Sequence, residues 1–184
     1  RPRARRFAAI LSSGLPSLVT EVSSGVVMIA FNAIILALAG NVGVAAYGVI
    51  ANLSLVVLAI YTGIAQGVQP LVSRYHGQGQ AGRTVAVLRY ALVTMLALSV
   101  LLYAAVFLFA PQIAAIFNSE HNAALQSIAV QGLRLYFVAC PFAGFNVILS
   151  LYLTSIEHPR PAHLISLLRG FLVILPAAFL LSWL

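Results

Sequence analysis

The sequence predicts an all-α membrane protein, a polytopic bundle of five transmembrane helices. Of its 184 residues, 62% are hydrophobic and only 7% are charged, whereas soluble domains carry about 25% charged residues. A chain this apolar cannot cover the surface of a water-soluble fold with polar groups. Its basic residues, all of them arginine, lie mainly in alternate gaps between apolar segments. Lipid is therefore the expected solvent, and backbone groups in lipid must pair within helices.

Five apolar segments reach the length of about 20 residues that a helix needs to cross a bilayer. They run over about 15–38, 44–72, 84–109, 128–153 and 163–184. The gap between the third and fourth segments is long, and Pro111 predicts a short helix of its own there, because proline is favoured in the first turn.

The arginines predict the orientation of these segments. Membrane proteins concentrate arginine and lysine in their cytoplasmic loops. The first and third gaps contain no arginine, and Arg134, just inside the fourth segment, is the exception to the alternation. The N-terminus and the gaps 74–83 and 154–162 are therefore expected in the cytoplasm. Because the arginines form no single basic face, the net charge of +7 does not indicate nucleic-acid binding.

Glu21 is the candidate coupling residue. A carboxylate within a membrane segment is costly and usually faces a polar interior with a functional role. Gly25, Met28 and Asn32 follow Glu21 at helical spacing and share its face, so this small or polar stripe can line a cavity. The pattern predicts a proton, cation or substrate contact. The alternative is that Glu21 lies near the cytoplasmic interface and reaches water.

Asparagines within the apolar segments are candidate polar contacts along a substrate path. An asparagine amide in lipid needs a partner, which is either a substrate or a neighbouring helix. Both alternatives stay open for Asn32, Asn52 and Asn146.

Prolines and glycines predict helix breaks or gates at Gly67, Pro70 and Pro141. Proline removes one backbone hydrogen bond and bends a helix. The first two residues lie near the end of the second segment, where the helix alternatively just ends. Pro141 lies within the fourth segment, as either a hinge or a fixed kink.

Motifs of soluble enzymes and of metal sites are not recognisable in the sequence. There is no phosphate-binding loop, no nucleophile elbow and no paired cysteine, since Cys140 is the only one. Prolines interrupt the histidine-containing stretch "EHPRPAH" and prevent a helical ligand face. We therefore expect no enzyme activity, no catalytic residue, no metal and no cofactor other than a coupling ion.

One long stretch resembles a known transporter family. "AAYGVIANLSLVVLAIYTGIAQGVQPLVSRYHGQGQAGR", residues 45–83, resembles the multidrug and toxic compound extrusion (MATE) transporters, whose glycine, proline and arginine pattern is matched at Gly63, Gly67, Pro70, Gly77 and Arg83. "GLPSLVTEVSSGVVMIAFNAII", residues 14–35, is similar to the first span of the family's second half. "PQIAAIFNSE", residues 111–120, resembles its outer short helix. The chain is most similar to the MepA-like bacterial branch.

The resemblance implies a fold and an activity. Family members have twelve spans in two lobes, so residues 1–184 would be a partial C-terminal lobe, equivalent to spans 7–11, with the N-terminal lobe of the same chain as its partner. Such a protein is a multi-pass protein of the bacterial inner membrane. It is a secondary active antiporter that exports drugs or organic cations, small amphipathic molecules, in exchange for H⁺ or Na⁺.

The chain departs from the family at its acidic residues. Many members have a functional acid in span seven at the position of Ser24, and another in span ten, whereas residues 128–153 contain none. The alternative within the superfamily is a flippase for lipid-linked oligosaccharides, which usually carries more arginines in its cavity. An intramembrane enzyme would need a catalytic pair that Glu21 alone does not supply.

Overall fold

The computed structural model describes residues 4–157 together with Pro176, Ala178 and Leu180, and it describes only the backbone of 4–21, Ser23 and Ser24. The continuous part is helical, as predicted. Its elements are α1 (Ala4–Gly77), α2 (Ala81–Phe117), α3 (Ala123–Tyr136), a 3-10 turn (Phe137–Ala139) and α4 (Cys140–Ser155).

Three helical stretches of the described chain are long and apolar enough to cross a membrane: Gly25–Gly77, Ala81–Phe117 and Ala123–Ser155. Only Ala81–Phe117 is one uninterrupted helix; at 1.5 Å per residue it measures roughly 55 Å, which exceeds the hydrocarbon thickness of about 30 Å. The structure therefore differs from five separate helices. The predicted segments 15–38 and 44–72 both lie within α1, and most of the segment 163–184 lies outside the described residues.

Helix α1 is sharply broken at Gly40, which has φ 62° and ψ −161°, a backbone region that is essentially restricted to glycine. The rings of Phe31 and Tyr47 stack with their centroids 6.1 Å apart, although a straight helix would separate these residues by about 24 Å. A Cβ atom on Gly43 would lie 2.5 Å from that of Ala39. The first arm (4–39) and the second arm (41–77) therefore form a tight helical hairpin.

The helix break predicted at Gly67 and Pro70 is wrong. The second arm continues through both residues to Gly77, and Gly40 is where the described backbone of α1 leaves helical geometry. Ala65 and Val72, on either side of Pro70, are 0% and 1% exposed, so core packing holds the helix on both sides of the proline. The fixed φ of proline is itself compatible with a helix.

The helix predicted to begin at Pro111 is not a separate element either. Helix α2 runs through Pro111 to Phe117. The following turn is held by side chains, because Asn122 Oδ1 accepts hydrogen bonds from the backbone N–H groups of Ala124 (2.9 Å) and Leu125 (3.1 Å) and so caps α3.

The core lies where the second arm, α2 and α4 meet. Tyr61 is fully buried, and its hydroxyl lies 2.8 Å from Ser99 Oγ, which also lies 2.8 Å from the backbone oxygen of Met95. Gly144 of α4 leaves room for the side chains of Met95 and Tyr61. Large apolar side chains point outward instead, among them Leu101, Leu108 and Leu135, as expected for helices surrounded by lipid.

Candidate functional site

A cleft of about 300 Å³ opens between the second arm and the junction of α3 with α4. One wall comes from consecutive turns of the second arm, and the other from the end of α3, the 3-10 turn and the first half of α4. Its described lining consists of Ser54, Val57, Leu58, Tyr61, Tyr136, Ala139, Cys140, Phe142, Ala143 and Asn146.

Pro141 explains why the helix changes course at this wall. Proline has no backbone N–H and cannot donate to the carbonyl of Phe137, four residues earlier. The N–H of Cys140 donates to that carbonyl instead, as the tighter bond of a 3-10 turn. The turn separates α3 from α4 and leaves Tyr136, Cys140 and Asn146 along one side of the cleft.

The described lining is aromatic, apolar and uncharged. Two of its polar groups are already occupied, because Ser54 Oγ donates to the carbonyl of Ala51 at 2.8 Å and the Tyr61 hydroxyl pairs with Ser99. Among the side-chain hydrogen bonds of the described residues, none involves the Asn146 amide, which is half-buried. The cleft therefore offers ring faces and one amide, an arrangement suited to a flat amphipathic molecule.

The structure does not place the three predicted asparagines together. Asn146 lines the cleft, whereas Asn32 and Asn52 do not. Asn52 is exposed, and its Nδ2 donates to the carbonyl of Gly48 at 2.9 Å, a bond within its own helix. Asn32 is half-buried on the first arm. The backbone of Glu21 belongs to α1, but its side chain lies outside the described part of the structure.

The three residues predicted as helix breaks lie in different surroundings. Pro141 lies at the beginning of α4, next to the cleft, while Gly67 and Pro70 are exposed residues of a continuous helix. In the part of the chain that the structure describes, no three His, Cys, Asp or Glu residues come together to hold a metal.

Arg134 makes a contact that the sequence analysis missed. Its Nε lies 3.4 Å from the backbone oxygen of Phe107, and its guanidinium carbon lies 4.8 Å from the centre of the Phe107 ring. Pro111 cannot donate to that oxygen, so Arg134 supplies a donor in its place. Gln126 Nε2 also donates to the carbonyl of Pro111, at 2.8 Å. The available signal was Pro111 itself, because a proline inside a helix predicts a free carbonyl four residues earlier.

Comparison with known proteins identifies the family. The MatE family model matches residues 16–180. The chain belongs to the MatE family. The predicted resemblance to MATE transporters, which was drawn from Gly63, Gly67, Pro70, Gly77 and Arg83, is thereby confirmed.

Two curated relatives show how much of a MatE protein this chain represents. The FAD transporter of Shewanella oneidensis is 27% identical over 159 residues, which cover 83% of this chain and 34% of that protein. The multidrug export protein MepA of Staphylococcus saprophyticus is 24% identical over 182 residues, which cover 99% of this chain and 39% of that protein. The chain thus spans less than half the length of these relatives.

A solved structure shows the same fold. A MOP superfamily transporter from Pyrococcus furiosus, whose binding pocket is described as reversed in polarity, superposes with a TM-score of 0.87 at 20% sequence identity. The superposition covers 99% of this chain and 40% of that protein. The helical hairpin, α2, α3 and α4 therefore form a MatE fold.

Proposed function

We propose that this chain is part of a secondary active antiporter that exports drugs or organic cations in exchange for H⁺ or Na⁺, and that the cleft beside Asn146 belongs to its substrate cavity. The observation that carries the proposal is the lining, in which the exposed rings of Tyr136 and Phe142 lie in the same uncharged wall as the Asn146 amide. Its volume of about 300 Å³ is at the lower end of the range of small-molecule sites. Membership of a transporter family supports transport rather than catalysis.

The proposed topology assigns five membrane crossings to residues 1–184, as spans 7–11 of a C-terminal lobe. The hairpin at Gly40 supplies two crossings, α2 supplies one, and α3 with α4 supplies one; residues 163–184 supply the fifth. The coverage of 34–39% of the curated relatives supports the idea of a partial lobe. The N-terminal lobe of the same protein would cover the open side of the cleft, in a bacterial inner membrane with the N-terminus in the cytoplasm.

In the proposed mechanism, the cleft binds the substrate and Glu21 couples its export to the ion. Aromatic walls hold the apolar part of an amphipathic substrate, and the Asn146 amide orients it. The substrate cation and the coupling ion compete for the Glu21 carboxylate while access alternates between the two sides of the membrane. Pro141 serves as the hinge between α3 and α4, and Asn32 and Asn52 provide further polar contacts to the passing substrate.

Accumulation of a fluorescent organic cation in efflux-deficient bacteria tests this proposal. The complete protein that carries this chain should lower accumulation, and Glu21→Gln should abolish the effect, since it removes the competing charge. Asn146→Ala should weaken export several-fold. Gln131→Ala, which shortens an exposed amide on α3 outside the cleft, is the matched control and should export normally.

Each outcome of this assay has a distinct meaning. Equal export by wild type and Glu21→Gln would refute the role of Glu21 but not the drug-export proposal. Equal export by Asn146→Ala and Gln131→Ala would refute the assignment of the cleft.

Export of a flavin nucleotide is a second candidate, because the FAD transporter of Shewanella oneidensis is among the relatives. The uncharged lining of the cleft also suits a flat heteroaromatic ring system. Measuring FAD in the growth medium of the same strains separates the two candidates. A rise in extracellular FAD without any change in cation accumulation would favour the flavin nucleotide.

A further inference from the structure

We propose that the end of the molecule where α1 turns into α2 binds one anionic phospholipid of the surrounding membrane, with its headgroup at Arg89 and an acyl chain along Leu92 and Leu96. The proposal requires that the chain spans a membrane, and it is independent of which substrate is transported.

Positive charge predominates at this end of the described chain. Arg74 at the end of α1 and Arg83 and Arg89 at the beginning of α2 are all exposed, and residues 22–119 contain no Asp or Glu. The guanidinium carbon of Arg83 lies 5.7 Å from the centre of the Tyr75 ring, which holds this side chain against α1. Arg89 has no such aromatic contact among the described residues.

Arg89 lies in the wall of an apolar groove. The described wall of this groove, whose volume is about 340 Å³, is one face of α2 from Val85 to Leu96. Side chains of a helix lean toward its N-terminus, so Arg89 is inclined toward the turn at residues 78–80. Leu92 and Leu96 follow it one and two turns later, with Leu96 roughly 10 Å farther along the helix. The groove therefore carries one cationic side chain, Arg89, with Val85 and Leu88 before it and Leu92 and Leu96 after it along an otherwise apolar wall.

A phospholipid matches both parts of the groove. A guanidinium group binds phosphate oxygens through two parallel hydrogen bonds, and leucine side chains favour an acyl chain. Positive residues at the cytoplasmic ends of membrane helices face the leaflet that carries anionic lipids. A soluble phosphate ion would satisfy Arg89 but would leave the apolar wall without a partner, so charge and hydrophobicity together favour an anionic lipid.

Thermal unfolding of the complete protein in detergent tests the site. Added phosphatidylglycerol should raise the unfolding temperature more than phosphatidylcholine does. Arg89→Gln should raise the half-maximal phosphatidylglycerol concentration by about fivefold to tenfold, because the charge-assisted bonds are lost. Arg74→Gln removes the same charge outside the groove, and its effect should stay below about twofold since exposed charges are screened.

A second variant tests the acyl-chain part. Leu96→Trp keeps Arg89 but fills the groove, and Leu96 is 53% exposed, so the helix tolerates a larger side chain there. We expect it to weaken the phosphatidylglycerol effect as much as Arg89→Gln does. Unchanged stabilisation in Leu96→Trp would overturn the groove assignment.

Three other results would overturn the proposal. Equal losses in Arg89→Gln and Arg74→Gln would indicate diffuse surface attraction. Equal stabilisation by the two lipids would show that the headgroup is not recognised. Stabilisation by glycerol phosphate at the same concentration would show that the site takes soluble phosphate. Because the readout is stability, failure of drug export would leave these results interpretable.

Discussion

Gly144 lies where α4 comes closest to its neighbours. A Cβ atom there would be 2.8 Å from Met95 Sδ and 3.2 Å from Tyr61 Cδ2. Methionine is flexible and can shift to accommodate a single added methyl group. The larger isopropyl group of valine would overlap the side chains of Met95 and Tyr61. We expect Gly144→Val to lower the free energy of unfolding by about 1–3 kcal/mol, measured by denaturation of the detergent-solubilised protein.

The matched control is Gly63→Val, since Gly63 is exposed and has no atom within 4 Å of an added Cβ. It should unfold within about 0.5 kcal/mol of wild type. Equal stability of the two variants would show that the close packing around Gly144 does not contribute to stability.

At the scale of single elements, the hairpin of α1 depends on Gly40. A side chain at φ 62° and ψ −161° costs about 1–3 kcal/mol. We expect Gly40→Ala to lower the free energy of unfolding by that amount. Gly25→Ala, in the first arm with no atom within 4 Å of an added Cβ, should leave stability unchanged or slightly raise it, because alanine favours helices. A Gly40→Ala protein as stable as wild type would contradict the strained geometry.

The contact between α2 and α3 predicts that substitutions at Arg134 and Pro111 affect the free energy of unfolding non-additively. Arg134→Leu should destabilise the protein by about 1–2 kcal/mol, because the Phe107 carbonyl loses its donor and the ring loses its cation. Pro111→Ala restores the N–H that can donate to this carbonyl within α2. In that background Arg134→Leu should cost measurably less, which a double-mutant cycle of unfolding free energies detects. Strict additivity would mean that Arg134 does not replace the missing donor.

The helices could be predicted because they depend on the composition of each segment alone. The cleft could not be predicted because it depends on how the helices pack together. Any apolar stretch in lipid must pair its backbone within a helix, and so α2 and α4 follow from composition. A helix that is hydrophobic all round shows no preferred face, so nothing in the sequence indicated that Ser54 and Asn146 would line one cleft. The helix break predicted at Pro70 was wrong for a related reason. Proline disfavours a helix locally, but the burial of Ala65 and Val72 on either side stabilises the helix here.

At the scale of the whole molecule, the distribution of arginine predicts which turns face which side of the membrane. In a cysteine-free background that includes Cys140→Ser, Gln78→Cys at the arginine-rich turn should react with a membrane-impermeant maleimide only after the cells are permeabilised. Glu120→Cys, in the turn between α2 and α3, should react in intact cells. Both positions are exposed, so accessibility of the thiol is matched. Labelling of both positions from the same side would refute the proposed orientation.

The apex at Gly40 also bears on biogenesis. Residues 22–73 contain no Asp, Glu, Lys, Arg or His, and the two arms are joined by little more than one glycine. Translocation of this apex across the bilayer therefore moves no ionised group through hydrocarbon. Moving ionised groups through hydrocarbon is what makes the translocation of a charged loop costly in free energy. Under the proposed topology, the short connection at Gly40 keeps the two arms next to each other from the moment both are in the membrane. We therefore expect them to enter the bilayer as a pair.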